Sequence, residues 1–200
     1  MKIGFILECG PEGADVKVCR HLVQQLDSNI EFISRTLTNK KELIRGCGVV
    51  AKILLKKCEE VIVVWDLFPS WRSTRPCRRK DRQEIIRSLN AQNVSLNKVS
   101  LVCIREELEA WLIADNIAVT IVLERLKRPH QVTRIPRPPH PDRISKPKNR
   151  LENIFRQEVG YKYVDTLHAI MIAKEINNVR RLRRSESFKR FAFKVSGQTL

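Results

Sequence analysis

The sequence predicts an α/β protein: a four-stranded parallel sheet flanked by helices, followed by a helical, proline-containing C-terminal extension. Three observations carry this. Strand and helix signals alternate through the first two-thirds of the 200 residues. The strand candidates are near-continuous apolar runs, as in sheets covered on both faces. Beyond residue 127 the composition turns to proline and arginine, and the helical period then resumes.

Residues 2–7 are an apolar run that reads as the first strand, and Gly10-Pro11-Glu12-Gly13 reads as a turn. Asp15 or a neighbour then caps a helix to about Leu26, with Val16, Cys19, Leu22, Val23 and Leu26 on one face. Residues 30–37 read as the second strand. Lys40 to Lys57 has helical spacing through Leu43, Ile44, Val50, Ile53 and Leu54, weakened by Gly46 and Gly48. Val61 to Trp65 is a third, fully apolar strand. Arg78 to Gln92 is a polar helix with Ile85, Ile86 and Leu89 inward. Residues 99–104 form the fourth strand, and Glu106 to about Lys127 is mostly helical. Parallel strands joined by helices need right-handed crossovers. The expected organisation is an α/β domain over 1–127, a basic proline-rich connection over 128–150, and a helical extension over 151–200 packed on the same domain. The connection holds six of the nine prolines, so it reads as extended. Helical spacing returns at Leu151, Ile154 and Phe155 and continues through Leu167, Ile170 and Met171. Ser185 or Ser187 caps a last helix carrying Phe188, Phe191 and Phe193.

The apolar fraction of 42% excludes a disordered chain despite 30% charged residues. No apolar run approaches the ~20 residues that span a bilayer, and the short N-terminal run reads as a strand rather than a signal peptide. A cytoplasmic location is expected, with the six cysteines as free thiols, since none has disulfide or zinc-site spacing. The net charge of +16 is clumped, which favours capture of polyanions, nucleic acid above all.

Ligands of open parallel α/β sheets bind beyond the carboxyl ends of the strands. Glu8 ends strand one, Asp66 ends strand three, and Glu106, Glu107 and Glu109 follow strand four. Carboxylates brought together repel unless a proton or cation neutralises them. A hard divalent ion does this with oxygen ligands, and it can polarise a phosphodiester and lower the pKa of a bound water. A divalent ion among these carboxylates is the expected centre.

Glu8-Cys9-Gly10-Pro11-Glu12 resembles the Glu-Gly-x-x-Glu opening of TOPRIM domains, and Asp66 resembles the first acid of their Asp-x-Asp motif. Glu107-Leu108-Glu109-Ala110-Trp111-Leu112-Ile113-Ala114-Asp115 is similar to the Glu-Ala-Trp-Leu-x-Ala-Asp signature of a TOPRIM-like family, domain of unknown function four-two-seven-six. Residues 141–148, Tyr161 and Ser187-Phe188 resemble its later motifs. The resemblance implies a TOPRIM-like, Rossmann-like sheet and magnesium-dependent phosphodiester chemistry, like that of overcoming-lysogenization-defect nucleases and some phage-defence effectors. Glu8 would be a metal ligand or general acid/base, Asp66 a ligand, and Glu109 a further ligand or the group that orients water. Two residues depart from the pattern. Phe68 stands where the second Asp belongs, and Cys9 where Gly belongs. The site then lacks a ligand unless Glu106, Glu107 or Asp115 supplies it. The family resemblance carried by these motifs implies Mg2+ (or Mn2+) on Glu8, Asp66, Glu109 and Glu106.

The basic segments read as a polyanion track beside the acids. Trp71, Arg72, Arg75, Arg78, Arg79 and Lys80 follow strand three, and Lys146 and Lys148 lie in the proline-rich stretch. Aromatics beside arginines stack bases while the cations hold phosphates; Trp71 is the stacking candidate and Trp65 a core residue. No histidine has an evident nucleophilic partner. The expected function is a Mg2+-dependent nuclease acting on DNA or RNA. The alternative is a metal-free TOPRIM-like module that binds nucleic acid or a partner protein. A nucleotide-binding regulator is a third reading, on a Gly10–Gly13 loop that lacks the P-loop pattern. A homodimer or a partner protein accords with either of the first two readings, and no membrane partner is expected.

Overall fold

In a computed structural model, which describes residues 1–70, 76–127 and 132–200, the four expected strands form one parallel sheet. They are β1 (Lys2–Glu8), β2 (Glu31–Leu37), β3 (Glu60–Asp66) and β4 (Val99–Ile104), in spatial order β2-β1-β3-β4. Glu8 pairs with Leu37 and Asp66 with Ile104, so the carboxyl ends finish nearly level. This is the Rossmann-like arrangement that the alternating sequence predicts.

The period-two alternation of each strand divides the core. Ile3, Phe5, Leu7, Ile62, Val64, Val102 and Ile104 face one side, whereas Ile6, Val61, Val63, Trp65 and Cys103 face the other. The first side is covered by α1 (Ala14–Leu26) and by α4 (Glu109–Ala114), α5 (Asn116–Leu126), α6 (Pro147–Val159), α7 (Asp165–Lys174) and α8 (Glu186–Ser196). The second is covered by α2 (Lys40–Leu54) and α3 (Arg78–Ala91). The chain therefore leaves β1 toward one side and β3 toward the other. That opens a crevice between their carboxyl ends, the usual ligand position in such sheets.

Gly48, read as a weak point of its helix, is a packing requirement. A Cβ there would lie 2.0 Å from the Ser88 carbonyl oxygen, so only glycine lets α2 approach α3 this closely. The Gly48 N–H donates to Ser88 Oγ at 3.2 Å.

The mostly helical stretch expected from Glu106 to about Lys127 is two helices broken at Asp115. The Asp115 carboxylate accepts from the N–H groups of Ile117 (3.2 Å) and Ala118 (3.4 Å) and so caps α5. Helix α6 begins at Pro147, earlier than the apolar period at Leu151 indicates, because proline is well suited to a first helical position. Ser185 caps α8 as expected, accepting from Phe188 N–H at 3.0 Å.

The C-terminal helices share the core of the first face. Trp111 lies between Phe188 (5.3 Å, edge-to-face) and Phe191 (5.0 Å), and Phe191 reaches Phe5 of the sheet at 6.3 Å. Aromatic pairs of this kind add about 0.5–1.5 kcal/mol each beyond area burial. All six cysteines are free. Among the described residues no helix is long and apolar enough to cross a membrane.

Candidate functional site

Glu8 and Asp66 end the two strands that border the crevice. Alternation sends them to different sides of the sheet. Leu7 faces α1, so Glu8 turns toward α2 and α3, where the Lys40 ammonium and the Asp81 carboxylate act on it. Val64 faces α1, so Asp66 turns the same way, and the charges acting on it are those of Asp15, Glu8, Glu109 and Glu107.

Lys40 is the first residue of α2 and only 3% exposed. Its Nζ donates to the carbonyl oxygens of Leu67 (2.7 Å) and Pro69 (2.5 Å). Burying an ammonium requires such partners. Lys40 thereby ties the segment after β3 to the start of α2 and places a positive charge beside Glu8.

The acids are crowded and poorly solvated. Burial pushes the Glu8 carboxyl up to about 7, although Lys40 and the backbone N–H groups of Asp66 and Lys40 favour its charged form. Glu109, 6% exposed, is likewise raised to about 7 by burial, and then by Asp15 and Glu107, against Lys148. Asp15 is raised by burial and by Glu8 and Asp165. Asp66 is raised well above the carboxylate range by burial and by four neighbouring acids. Glu8 Oε2 is buried with no hydrogen-bond partner among the described residues. An orphaned buried carboxylate oxygen is costly as an anion, so the group favours a proton or a bound cation.

The α6–α7 region closes the far wall. Glu107 Oε2 accepts from the Lys148 N–H at 3.0 Å, at the start of α6, where a carboxylate suits the helix dipole. Lys148 Nζ pairs with Asp165 Oδ2 at 2.5 Å. Burial alone would lower the Lys148 ammonium, but Asp165, Glu109 and Glu107 hold it above its usual range. Asp165 is kept below its usual range by Lys148 and the Thr166 N–H despite burial. Tyr163 O–H donates to Glu109 Oε1 at 3.4 Å, and Phe155 supports the Tyr163 ring at 5.3 Å. Burial and Glu109 push the Tyr163 phenol up, so it stays a donor.

The segment after the prolines is clamped by a buried polar network. Asp142, 5% exposed, lies in a 3-10 turn at Pro141–Arg143. Its Oδ1 accepts from Ser185 Oγ (2.6 Å) and Ser187 Oγ (2.9 Å), and its Oδ2 from Ser187 N–H (2.8 Å). Trp111 Nε1 donates to Ser187 Oγ at 2.8 Å. The Trp111, Asp142 and Ser187 positions of three distant motifs thus meet in one place, where they hold structure rather than face the crevice.

Of the residues expected at the centre, Glu8, Asp66 and Glu109 act on a common set of charges. Glu106 does not join them: its neighbours are the Lys146 backbone, Arg105, Glu107 and Asp142. Asp115 does not replace the missing second acid, because it caps α5 and meets Arg181 at 3.5 Å. Phe68, at that acid's position, is 38% exposed. Lys148, expected on the nucleic-acid track, turns inward to Asp165. Tyr161 is 41% exposed, and it is Tyr163 that reaches Glu109. Arg78, Arg79, Lys80 and Lys146 are exposed. Trp71, Arg72, Arg75, Pro129 and His130 lie outside the described residues.

Sequence reasoning missed Asp15, Lys40, Asp81, Tyr163 and Asp165. The sequence suggests Asp15 or a neighbour as a cap; Gly13 occupies the cap position of α1, and Asp15 lies in its first turn. The available signal was its location in the loop after the first strand, the segment that faces the crevice.

Hard-metal chemistry suits the donor set: all-oxygen ligands, surplus negative charge and an unpartnered buried oxygen. Position suits it less. Among the described residues no three His, Cys, Asp or Glu side chains are gathered closely enough to hold a metal ion.

The fold and the site define an α/β protein with a Rossmann-like sheet and a buried acidic crevice at the point where the crossovers reverse direction. Residues 16–195 match the family described as domain of unknown function (DUF4276), and the chain belongs to that family. No curated protein and no solved structure matches it.

Proposed function

We propose that this chain is a TOPRIM-type phosphodiesterase acting on nucleic acid with Mg2+ or Mn2+. The observation that supports it most is the crowd of carboxylates at the crevice, with Glu8 and Glu109 pushed up to about 7 and Asp66 also raised by burial and by its acidic neighbours. Active sites hold such perturbed acids because proton transfer works best near the ambient pH. Asp66, with Asp15 and Glu109 on the same side of the sheet, would hold the ion. When bound, the ion would supply charge stabilisation to a phosphoryl oxygen and a more acidic water. Glu8 exchanges a proton with a water or a leaving oxygen at neutral pH. Lys40 favours its ionised form and holds the strand-three loop in place. Exposed Arg78, Arg79, Lys80 and Lys146 draw in phosphates.

The test is cleavage of end-labelled single- and double-stranded DNA and of RNA, with Mg2+ or Mn2+ and with EDTA. Cleavage that requires metal and disappears in Glu8→Gln and Asp66→Asn is the expected result. Protein inert on every substrate, or variants with full activity, refutes the proposal. A second reading, a nucleic-acid-binding module without a working metal centre, draws on two facts: no three acids are gathered, and Phe68 replaces an acid. It expects salt-sensitive binding that EDTA leaves unchanged.

A further inference from the structure

Next to the acidic crevice, beyond the edge strand β4, lies a cavity of about 550 Å3 lined by five arginines: Arg78, Arg105, Arg143, Arg184 and Arg190. Four distant stretches of chain deliver them. Arg78 starts α3, Arg105 follows β4, Arg143 closes the 3-10 turn at Pro141–Arg143, and Arg184 and Arg190 flank the start of α8 and lie within it. None of the five makes an ion pair within 4 Å among the described residues. Arg184 and Arg190 touch only backbone carbonyls, those of Pro138 and Cys103, each at 3.5 Å.

The two acids in the same wall offset only part of this charge, and neither pairs directly with an arginine among the described residues. Asp142 has both oxygens engaged by Ser185 and Ser187. Glu186 is paired with Lys189 at 2.7 Å. Five guanidiniums therefore converge on one small space against two carboxylates, an excess of positive charge. They repel one another unless an anion enters, and guanidinium geometry is matched to phosphate. The volume lies within the range for small-ligand sites, about 300–1,000 Å3. That is room for a nucleotide and its phosphate, and too little for a duplex.

Position adds the second half of the argument. The cavity wall includes Leu67, the residue directly after Asp66, and the Leu67 N–H is bonded to Ile104 O at 2.8 Å, where β3 and β4 end. A strand whose terminal phosphate sits among the arginines reaches the acidic crevice within a nucleotide or two. We propose that this pocket is a receptor for the terminal phosphate of a nucleic-acid strand, and that it makes the protein act from strand ends. The assignment deepens the function proposed above and rests on it for the polynucleotide; the pocket itself is testable with no cleavage at all.

The experiment is fluorescence anisotropy in EDTA, with single-stranded hexanucleotides carrying a phosphate at the 5′ end, at the 3′ end, or at neither. One phosphorylated form binds at least about tenfold tighter than the hydroxyl form, roughly the effect of one charge-assisted hydrogen bond. The preference falls to about onefold in Arg105→Gln/Arg190→Gln and persists in Glu8→Gln. Thermal melts confirm folding, and the exposed single variant Arg105→Gln repeats the comparison should the double variant unfold. Equal binding of all three ends, or a preference that survives the arginine variants, overturns the pocket. A nucleoside monophosphate that competes as well as the phosphorylated hexanucleotide overturns the strand-end assignment in favour of a free nucleotide. Protein inert in the cleavage assay yet selective for phosphate ends overturns the proposed chemistry and leaves the pocket standing.

Discussion

Replacing Glu109 by glutamine removes one charge from the buried acid cluster and keeps the shape. The glutamine carbonyl still accepts from Tyr163 O–H, so the change isolates the charge. Glu109 is displaced from 4.5 to about 7. Each pKa unit corresponds to about 1.4 kcal/mol, so ionising this group in the folded protein costs on the order of 3 kcal/mol. The folded state holds its proton where the unfolded chain has released it. The stability that this group contributes is therefore full below about pH 4.5, declines between about 4.5 and 7, and is level above. The neutral glutamine escapes that decline. At pH 8 without divalent metal, Glu109→Gln is expected to be more stable than the parent by up to about 3 kcal/mol. With about 2–4 °C per kcal/mol for a chain of this size, that is a rise in Tm of several degrees. At pH 4.5 the two proteins melt together. Differential scanning fluorimetry across pH 4.5–8.5 reads both limbs. Equal melting at pH 8, or a variant destabilised equally at every pH, would refute the idea that the crevice stores unfavourable charge. Adding Mn2+ at pH 8 should then stabilise the parent more than the variant, because binding only to the folded state adds to its stability.

Other substitutions test the parts around that centre. Asp142→Ala leaves Ser185, Ser187 and the Ser187 N–H without their buried acceptor, so denaturant unfolding should show a loss of about 3 kcal/mol or more. Gly48→Ala drives a methyl into the Ser88 carbonyl, and at least 1–3 kcal/mol of destabilisation is expected at roughly the scale of overpacking. Lys40→Met removes the charge that favours ionised Glu8 and the donor shared by Leu67 and Pro69. It should lower stability at all pH values, and the acid limb of any pH–rate profile assigned to Glu8 should move to higher pH. Nucleic-acid affinity should fall steeply with salt, with a log–log slope of about −0.7 per phosphate contact on single strands; Arg79→Gln/Lys80→Gln should flatten it.

Much of this molecule was legible residue by residue. The runs 61–65 and 99–104 are apolar at nearly every position, which marks strands covered on both faces, and they form the interior strand β3 and the edge strand β4 of the sheet. Lys40 was unreadable, because lysines are seldom buried and only the fold supplies two carbonyl oxygens for its ammonium. Tyr163 sits between elements with no periodic signal, and its role exists only because Phe155 and Glu109 arrive from other helices. Asp115 reads from sequence only as a substitute ligand, and the break between α4 and α5 makes it a cap instead.

By itself the sequence determined the order of strands and helices, the parallel pairing and the delivery of acids to one edge, since these follow from local hydrophobic period and from the short reach of crossovers. Tertiary structure alone decided which side of the sheet each acid turns to, which lysine balances which carboxylate, and that five arginines from four distant stretches line one cavity. Those outcomes depend on where separate segments come to rest against each other, and electrostatic interaction is set by separation in space, whatever the separation along the chain.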